Sequence, residues 1–471
     1  MTENLGPLLP EIALAVGAVT GLLAGSWLPR RRQWAVQALA AAACLAALAA
    51  TAAVATHPGT ADFGTSYAID TVTATVRVVV LAATLLVIGL SPGTVRDHPH
   101  ESEFYVLLLL AALGTITMAG ANDLLTLFAA YLLASVPAYV LAGFMKDGPA
   151  TEAAMKYYLM GALFGAFMLT GVTLLYGAGH TTSYPALPAA LTAGPPAVAA
   201  AGLIAVLAGL MFKTGAVPAQ FWVPDVTEGT STPVAAFVTT IPKIGALAAL
   251  ARLLTVAIPV TVVNWPLLIA ILAAATMTLG NLAAFFQTSA KRLLAYSTIS
   301  QAGYLLIPVA VTTRTHLAIT SLLFYLAAYA VTNLGAFAVV AEFPHAATLS
   351  DYAGLARRHP GLAAVLAVCL LGLVGTPPTA VFLGKLDVFT AAINGSYSWL
   401  AALAVANTIA SLFYYLRWLT PAFLSPPAPA EALRPAGRWA AATAYIAGAA
   451  SLALGIAGGA ILPLLTGHLT A

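Results

Sequence analysis

The chain has 471 residues, of which 61% are hydrophobic and only 7% are charged, and its formal net charge is +3. A mean hydropathy of +0.93 excludes an ordinary soluble globular protein, and the small charge excess indicates no nucleic-acid partner. The two cysteines, Cys44 and Cys369, stand singly inside apolar runs, so the sequence predicts neither a zinc site nor an iron–sulfur cluster nor another metal site. Without a glycine-rich phosphate-binding motif, no nucleotide cofactor is predicted to bind this chain.

Apolar runs of about 20 residues, long enough to cross a hydrocarbon core of about 30 Å as a helix, recur from end to end. No segment shows the alternation of about ten residues that marks a strand of a membrane β-barrel. The sequence therefore predicts an all-α polytopic protein, a single membrane domain over 1–471, embedded in the lipid bilayer of the cell membrane. About 14 membrane helices are predicted, at 8–28, 35–56, 68–90, 104–120, 122–144, 152–177, 197–222, 231–257, 262–287, 291–312, 315–341, 361–385, 397–419 and 437–467.

Basic residues fall on alternate sides of these predicted helices. If the N-terminus is outside, only Arg314 lies in an outer loop. Such an asymmetry is the positive-inside pattern, and an even number of helices then places both termini outside. The cytoplasmic loops and adjacent helix ends would hold Arg30, Arg31, Arg32, Arg96, Lys146, Lys156, Lys291, Arg292, Arg357, Arg358, Arg434 and Arg438.

The segment "GLMFKTGAVPAQFWVPDVTEG", residues 209–229, places Lys213 in an apolar run five residues before Pro218. A charge at the bilayer centre costs at least about 2.5–3.5 kcal/mol, which indicates a functional role. Pro218 removes a backbone donor and is predicted to interrupt its helix. Asp225 and Glu228 follow, and the sequence leaves open whether they hold a loop or attract protons.

Two more lysines lie within predicted helices, Lys243 in "FVTTIPKIGALAAL" and Lys385 in "VFLGKLDVF". Pro377 and Pro378 are predicted to interrupt the helix that precedes Lys385. Because burial disfavours the charged form of an amine, a buried lysine is suited to taking up and releasing protons. We predict that the three lysines form a proton path; lysines that only snorkel or pair with one acid, and prolines that only kink a helix, are the alternative.

Short similarities relate the two halves of the chain. The segment "NDLLTLFAAYLLAS", residues 122–135, resembles "KRLLAYSTISQAGY", residues 291–304. We interpret 104–257 and 262–419 as two antiporter-like repeats of five helices, each containing one broken helix. An odd number of helices inverts the second copy, and inverted repeats with broken helices build the midplane ion sites of many transporters.

Taken together, these segments resemble a known family. "GLMFKTGAVPAQFWVPDVTEGTSTPVAAF", "EAAMKYYLMGALFGAF", "TMTLGNLAAFFQTSAKRLLAYSTISQAGYLL" and "GTPPTAVFLGKLDVF" are similar to subunit N of the bacterial proton-pumping NADH-quinone oxidoreductase, respiratory complex I. The similarity extends over roughly residues 100–420, and the PDVTEG-type loop distinguishes subunit N from its sister subunits and from Mrp-type antiporters.

The resemblance implies a membrane-arm subunit of a translocase that couples electron transfer from NADH to a quinone to proton translocation. The alanine-rich composition suggests a GC-rich genome and therefore menaquinone. Other membrane subunits would be its partners, and flavin, iron–sulfur clusters, NADH and quinone would be bound by partner subunits, none by this chain. Lys213 matches the family's broken-helix lysine, Lys243 the lysine of the next helix, and Lys385 the lysine after the second break.

Three positions depart from the family pattern. Leu132 stands where the family has a membrane glutamate, and Gln220 and Gln301 stand where histidine is usual. Asp123 cannot replace that glutamate, because nine residues of helix separate it from Leu132 by about 13 Å. All three departures remove a titratable group. These departures favour one alternative function, a scaffold subunit that moves no protons. A second alternative, an Mrp-like cation/proton antiporter subunit, also stays open.

The predicted orientation is tested by a reporter domain fused after Ala471. The even helix count predicts that this reporter lies outside the cell, whereas one inserted after Lys146 lies in the cytoplasm. Accessibility of the two reporters in intact cells measures both positions. A cytoplasmic location of the C-terminal reporter would contradict the predicted topology.

Overall fold

The computed structural model describes residues 5–55, 66–429, 431–467 and 469. Regular structure in these residues is helical, with only isolated β-bridges outside the helices, so the predicted all-α membrane fold is confirmed. The chain termini that define the predicted orientation, including Ala471, lie outside the described residues.

The described residues form 19 α-helices in chain order. They are α1 (Leu9–Trp27), α2 (Trp34–Ala55), α3 (Thr71–Leu90), α4 (Pro92–Val95), α5 (Glu101–Gly120), α6 (Leu124–Ala142), α7 (Gly148–Gly179), α8 (Leu187–Ala193), α9 (Pro196–Thr214), α10 (Trp222–Gly229), α11 (Thr232–Arg252), α12 (Trp265–Ala284), α13 (Ala290–Ala310), α14 (Leu317–Glu342), α15 (Leu355–Arg358), α16 (Pro360–Val374), α17 (Ala380–Asn394), α18 (Ser398–Leu424) and α19 (Arg438–Ile461).

Within the described ranges, 13 helices are long and apolar enough to cross a membrane. They correspond to 13 of the 14 predicted spans. The remaining span, 361–385, is divided between α16 and α17, which have 15 residues each. The division follows from the two prolines between them, because proline cannot donate the backbone hydrogen bond that continues a helix.

Three helices, α11, α13 and α14, form the centre of the molecule, and nearly all of their residues are buried. Glycines bring α12 close to α13. A Cβ atom on Gly280 would lie 2.4 Å from the backbone nitrogen of Ser300, and one on Gly303 would lie 2.4 Å from that of Met277. Small residues let membrane helices approach closely in this way. Van der Waals packing then holds the helices together, since lipid leaves no hydrophobic force between them.

Two buried arginines of the core contact acidic side chains. Arg77 of α3 forms two 2.8 Å hydrogen bonds with the carboxylate of Glu11 on α1, and Tyr67 donates a third, of 2.7 Å, to the same group. Arg252 at the end of α11 lies 2.8 Å from Asp70, the residue that caps α3. These ion pairs fasten the N-terminal helices to the central ones.

The Arg77–Glu11 pair generates a stability prediction. Arg77→Met leaves a buried carboxylate without its counter-charge and should destabilise the fold by about 3–5 kcal/mol. The midpoint of thermal inactivation of the purified assembly measures this loss. In the double variant Arg77→Met/Glu11→Leu both charges are gone, so the midpoint should recover part of the loss, the remainder reflecting the Tyr67 hydroxyl left without its acceptor. A single variant with an unchanged midpoint would contradict the argument.

Candidate functional site

The first break separates α9 from α10, and Pro218 lies within it. α9 ends at Thr214, followed by Gly215 with φ +69°, a conformation that favours glycine. The indole of Trp222 donates a 2.9 Å hydrogen bond to the carbonyl oxygen of Phe212 in the last turn of α9. The backbone nitrogen of Val217 donates to the hydroxyl of Thr276 at 3.1 Å. Side chains of the protein thus satisfy backbone groups that the break takes out of the helical pattern.

The second break separates α16 from α17 and contains Pro377 and Pro378. In a continuous helix these two residues would donate to the carbonyls four positions earlier, those of Leu373 and Val374. Proline has no N–H group, so both carbonyls lack that donor. Lys385 supplies the replacement, since its Nζ atom donates to Leu373 O at 3.1 Å and to Val374 O at 2.8 Å.

Lys213 lies in the last turn of α9 and is buried. Its Nζ atom lies 5.2 Å from the centre of the Tyr131 ring and has no hydrogen-bond partner among the described residues. Tyr131 is buried on α6, whereas the next residue, Leu132, is 41% exposed at the outer surface of that helix. An aromatic face, instead of a carboxylate, therefore lies next to this lysine.

Lys243 lies in the middle of α11 and is also buried. Its Nζ atom donates a 2.7 Å hydrogen bond to the carbonyl oxygen of Thr298 on α13 and lies 5.3 Å from the centre of the Tyr329 ring. The Tyr329 hydroxyl donates to Thr239 O at 2.9 Å and lies 3.1 Å from the Thr298 hydroxyl. A backbone carbonyl and an aromatic ring therefore lie next to this amine.

One face of α13 connects the surroundings of Lys243 with those of Lys385. Thr298, Gln301 and Tyr304 recur every three residues, which spreads them over about 9 Å of helix. Gln301 donates a 2.9 Å hydrogen bond to Leu373 O, the carbonyl that Lys385 also contacts. The Nζ atom of Lys385 lies 4.1 Å from the centre of the Tyr304 ring.

A second polar cluster bonds α13 at Ser300. The side-chain oxygen of Asn281 on α12 accepts hydrogen bonds from Ser300 at 2.9 Å and from Tyr414 at 3.0 Å. Its amide nitrogen donates to the side chain of Asn407 at 2.9 Å. Because these groups are buried and mutually bonded, they fix the rotation of α13 about its axis.

The acidic residues after the first break have separate partners. Asp225 lies 2.8 Å from Lys156 and 3.1 Å from Arg292, and so joins α10 to α7 and α13. Glu228 accepts a 2.6 Å hydrogen bond from Ser289. Of the two roles that the sequence leaves open, these contacts favour holding the short helix α10 in place.

The structure brings two of the three predicted lysines to α13 and leaves the third apart from it. Lys243 and Lys385 both reach groups linked by α13, whereas the aromatic contact of Lys213 is with α6. None of the three has an acidic partner within ion-pair distance in the part of the chain that the structure describes. The same part contains no group of three histidine, cysteine or acidic residues that could hold a metal ion.

The sequence interpretation missed the tyrosines next to these lysines. Tyr131, Tyr304 and Tyr329 each place a ring near a lysine amine, and Tyr325 donates a hydrogen bond to Gln301. A signal was present in "FYLAAYA", where Tyr325 and Tyr329 are four residues apart and therefore share one face of α14. At the first break, Gln220 is buried, and no described residue bonds its carbonyl oxygen.

Comparison with known proteins defines the class first. Residues 121–412 match the family described as "NADH:quinone oxidoreductase/Mrp antiporter, TM", a stretch that includes both breaks and all three lysines. The fold resembles a chain in "Structure of Mrp complex from Dietzia sp. DQ12-45-1b", with a TM-score of 0.85 over 99% of this chain and 97% of that chain. At 22% identity this likeness concerns the fold alone. The class is that of antiporter-like membrane proteins.

Closer relatives identify the branch of that class. The chain is 57% identical over 467 residues to "NADH-quinone oxidoreductase subunit N 1" of Streptomyces griseus subsp. griseus, with 99% of each chain covered. A chain in "Respiratory complex I from Thermus thermophilus with bound Aureothin" is 34% identical, with a TM-score of 0.82 over 98% of this chain and 100% of that chain. The protein belongs to the NADH-quinone oxidoreductase subunit N family.

Membership of this family confirms three predictions from the sequence. The resemblance to subunit N is correct, and the chain is a multi-pass membrane subunit of an NADH-quinone oxidoreductase. It functions beside other membrane subunits of that complex. The Mrp-like alternative is not favoured, since the high identities over nearly the whole chain are to subunit N.

The contacts of the acidic residues after the first break predict different effects of two conservative variants. Asp225→Asn removes two ion pairs, each contributing roughly 0.2–1 kcal/mol at this partly exposed position. Glu228→Gln keeps an oxygen that accepts the Ser289 bond. Thermal inactivation of the complex at low salt should therefore occur at a lower temperature in Asp225→Asn only, and the difference should shrink at high salt. An equal effect of both variants would rule out a specific role of Asp225 in holding α10.

Proposed function

We propose that this subunit moves protons across the membrane along a path whose titratable groups are Lys213, Lys243 and Lys385. The observation that carries the proposal is the chemistry around these amines. Each lysine is buried beside an aromatic ring, and none is paired with a carboxylate among the described residues. A permanent counter-ion would hold the proton on the amine. The absence of a carboxylate partner among the described residues therefore supports a role for these amines in proton exchange.

Carbonyl oxygens and aromatic faces suit an amine that changes its charge. Both stabilise an ammonium group when the proton is present, through charge-assisted hydrogen bonds and cation–π attraction. Neither is an ion, so the neutral amine leaves no unpaired charge behind when the proton departs. Lys243 and Lys385 have both kinds of neighbour, while Lys213 has the ring of Tyr131.

The order along the proposed path follows the chain of contacts. Lys213 lies at the first break, Lys243 on the next helix, and Lys385 beyond the second break. Between the last two, the hydroxyls of Thr298 and Tyr329 lie within hydrogen-bond distance of each other. Bridging water would complete the connection past Gln301, whose amide does not titrate.

Two inverted repeats are part of the same proposal. The first, 104–257, comprises α5, α6, α7, the pair α9 and α10, and α11; the second, 262–419, comprises α12, α13, α14, the pair α16 and α17, and α18. The fourth helix is interrupted in each set, and a proline lies in each interruption. This correspondence supports an ion site near the membrane midplane built from two copies of one unit.

The redox chemistry is assigned to other subunits. Flavin and iron–sulfur clusters would carry electrons from NADH to the quinone, proposed to be menaquinone, in those partners. In this proposal, the chain contributes a proton path and takes no part in the redox chemistry. Coupling then requires that events at the quinone reach the lysines through contacts between subunits.

A scaffold subunit without proton transport is the second candidate. It is favoured by one observation, the replacement of titratable groups by Leu132, Gln220 and Gln301. Lys213 in particular has no carboxylate partner in the described residues. The two candidates differ in the number of protons moved for each electron.

Lys243→Ala in the assembled complex, reconstituted in vesicles, separates them. We expect fewer protons moved per electron, with assembly and quinone reduction largely retained. Lys243→Arg keeps a cation but does not release its proton at any physiological pH, and it should lower the yield as well. Lys146→Ala, at an exposed loop lysine, is the matched control. An unchanged yield in Lys243→Ala would favour the scaffold.

A further inference from the structure

The carbonyl oxygen of Leu373 accepts hydrogen bonds from two side chains that are distant in sequence. Gln301 Nε2 donates to it at 2.9 Å and Lys385 Nζ at 3.1 Å. A carbonyl has two lone pairs, so both bonds form without competition for one site. Pro377 makes this possible, because it leaves the carbonyl without its helical donor.

The orientation of the Gln301 amide is fixed from both ends. Leu373 O only accepts, so the NH₂ group of Gln301 must face it. On the opposite side, the hydroxyl of Tyr325 donates to Gln301 Oε1. Gln301 and Tyr325 are both buried, on α13 and α14, which leaves the amide no water-exposed alternative.

We propose that Gln301 is a positioning residue for Lys385. It keeps the Leu373 carbonyl bonded in both protonation states of the lysine and holds the end of α16 where the amine can return to it. This role rests on the proposed proton path.

The physical reason is the cost of a buried carbonyl without a partner, about 1–3 kcal/mol. If Lys385 alone bonded Leu373 O, each departure of the amine would leave that carbonyl unsatisfied, and the end of α16 would be free to shift away from the amine. The second donor from Gln301 removes this penalty at Leu373. An amide serves this purpose without titrating, so Lys385 stays the proton-exchanging group at the second break.

The test uses Gln301→Leu and Gln301→His in the assembled complex in vesicles. Leucine has similar volume and no donor, and we expect the proton yield per electron to fall to the level of Lys385→Ala. Histidine restores an N–H donor and should rescue the yield, which a purely space-filling role would not require. Tyr325→Phe frees the amide to rotate and should give a partial loss. Gln301→Leu combined with Lys385→Ala should lower the yield no further than Lys385→Ala.

Gln37→Leu is the matched control, because Gln37 also donates from its amide to a backbone carbonyl of another helix, that of Ile88. The proton yield, quinone reduction and assembly of Gln37→Leu should all be unchanged. Full yield in Gln301→Leu, or no rescue by Gln301→His, would overturn the proposal.

A cryo-EM structure of the Gln301→Leu complex separates failure of this proposal from failure of the proposed function. We expect the amine of Lys385 to lie beyond about 3.5 Å from Leu373 O, outside hydrogen-bond distance. An unmoved Lys385 overturns the positioning role whatever the yield. If Lys385→Ala itself keeps the full yield, the proposed proton path is wrong. The position of Lys385 in the Gln301→Leu structure is then the measurement that decides the positioning role of Gln301.

Discussion

The hydrocarbon core of a membrane contains no water to satisfy the backbone, so a helix can be interrupted there only where protein groups or a water-filled cavity satisfy the freed backbone groups. At both breaks of this chain, side chains bond some of these groups. At the first, the indole of Trp222 bonds a carbonyl of α9, and at the second, Lys385 bonds the two carbonyls that Pro377 and Pro378 leave without donors. At the second break, an ionisable amine thus serves as a backbone donor.

In the proposed proton path, Lys385 both completes the backbone and exchanges protons, and these two tasks conflict. The amine must bond the carbonyls firmly enough to hold α16, and it must leave them readily enough to change its charge. The shared carbonyl of Leu373 relieves the conflict, because Gln301 bonds it as well. Lys243 is less constrained than Lys385, since the Thr298 carbonyl that it contacts belongs to an uninterrupted helix.

The helix α13 organises this region through contacts with several neighbouring helices. Its residues contact Lys243 and Lys385, and two of its serines bond Asn281 and Tyr415. Close approach at Gly280 and Gly303 fixes its distance from α12. A helix held in rotation and translation in this way keeps polar groups at constant distances, which the proposed proton path requires.

The sequence by itself determined the membrane class, the positions of the helices, the prolines at both breaks and the family, because hydropathy, proline chemistry and short motifs are local properties. It also located three lysines in apolar surroundings. Only the tertiary structure decided that Tyr131, and not the neighbouring Leu132, faces Lys213, and that Lys385 and Gln301 meet at Leu373. These contacts join residues on different helices, and helices that are apolar on all sides carry no polar face from which their rotation could be predicted.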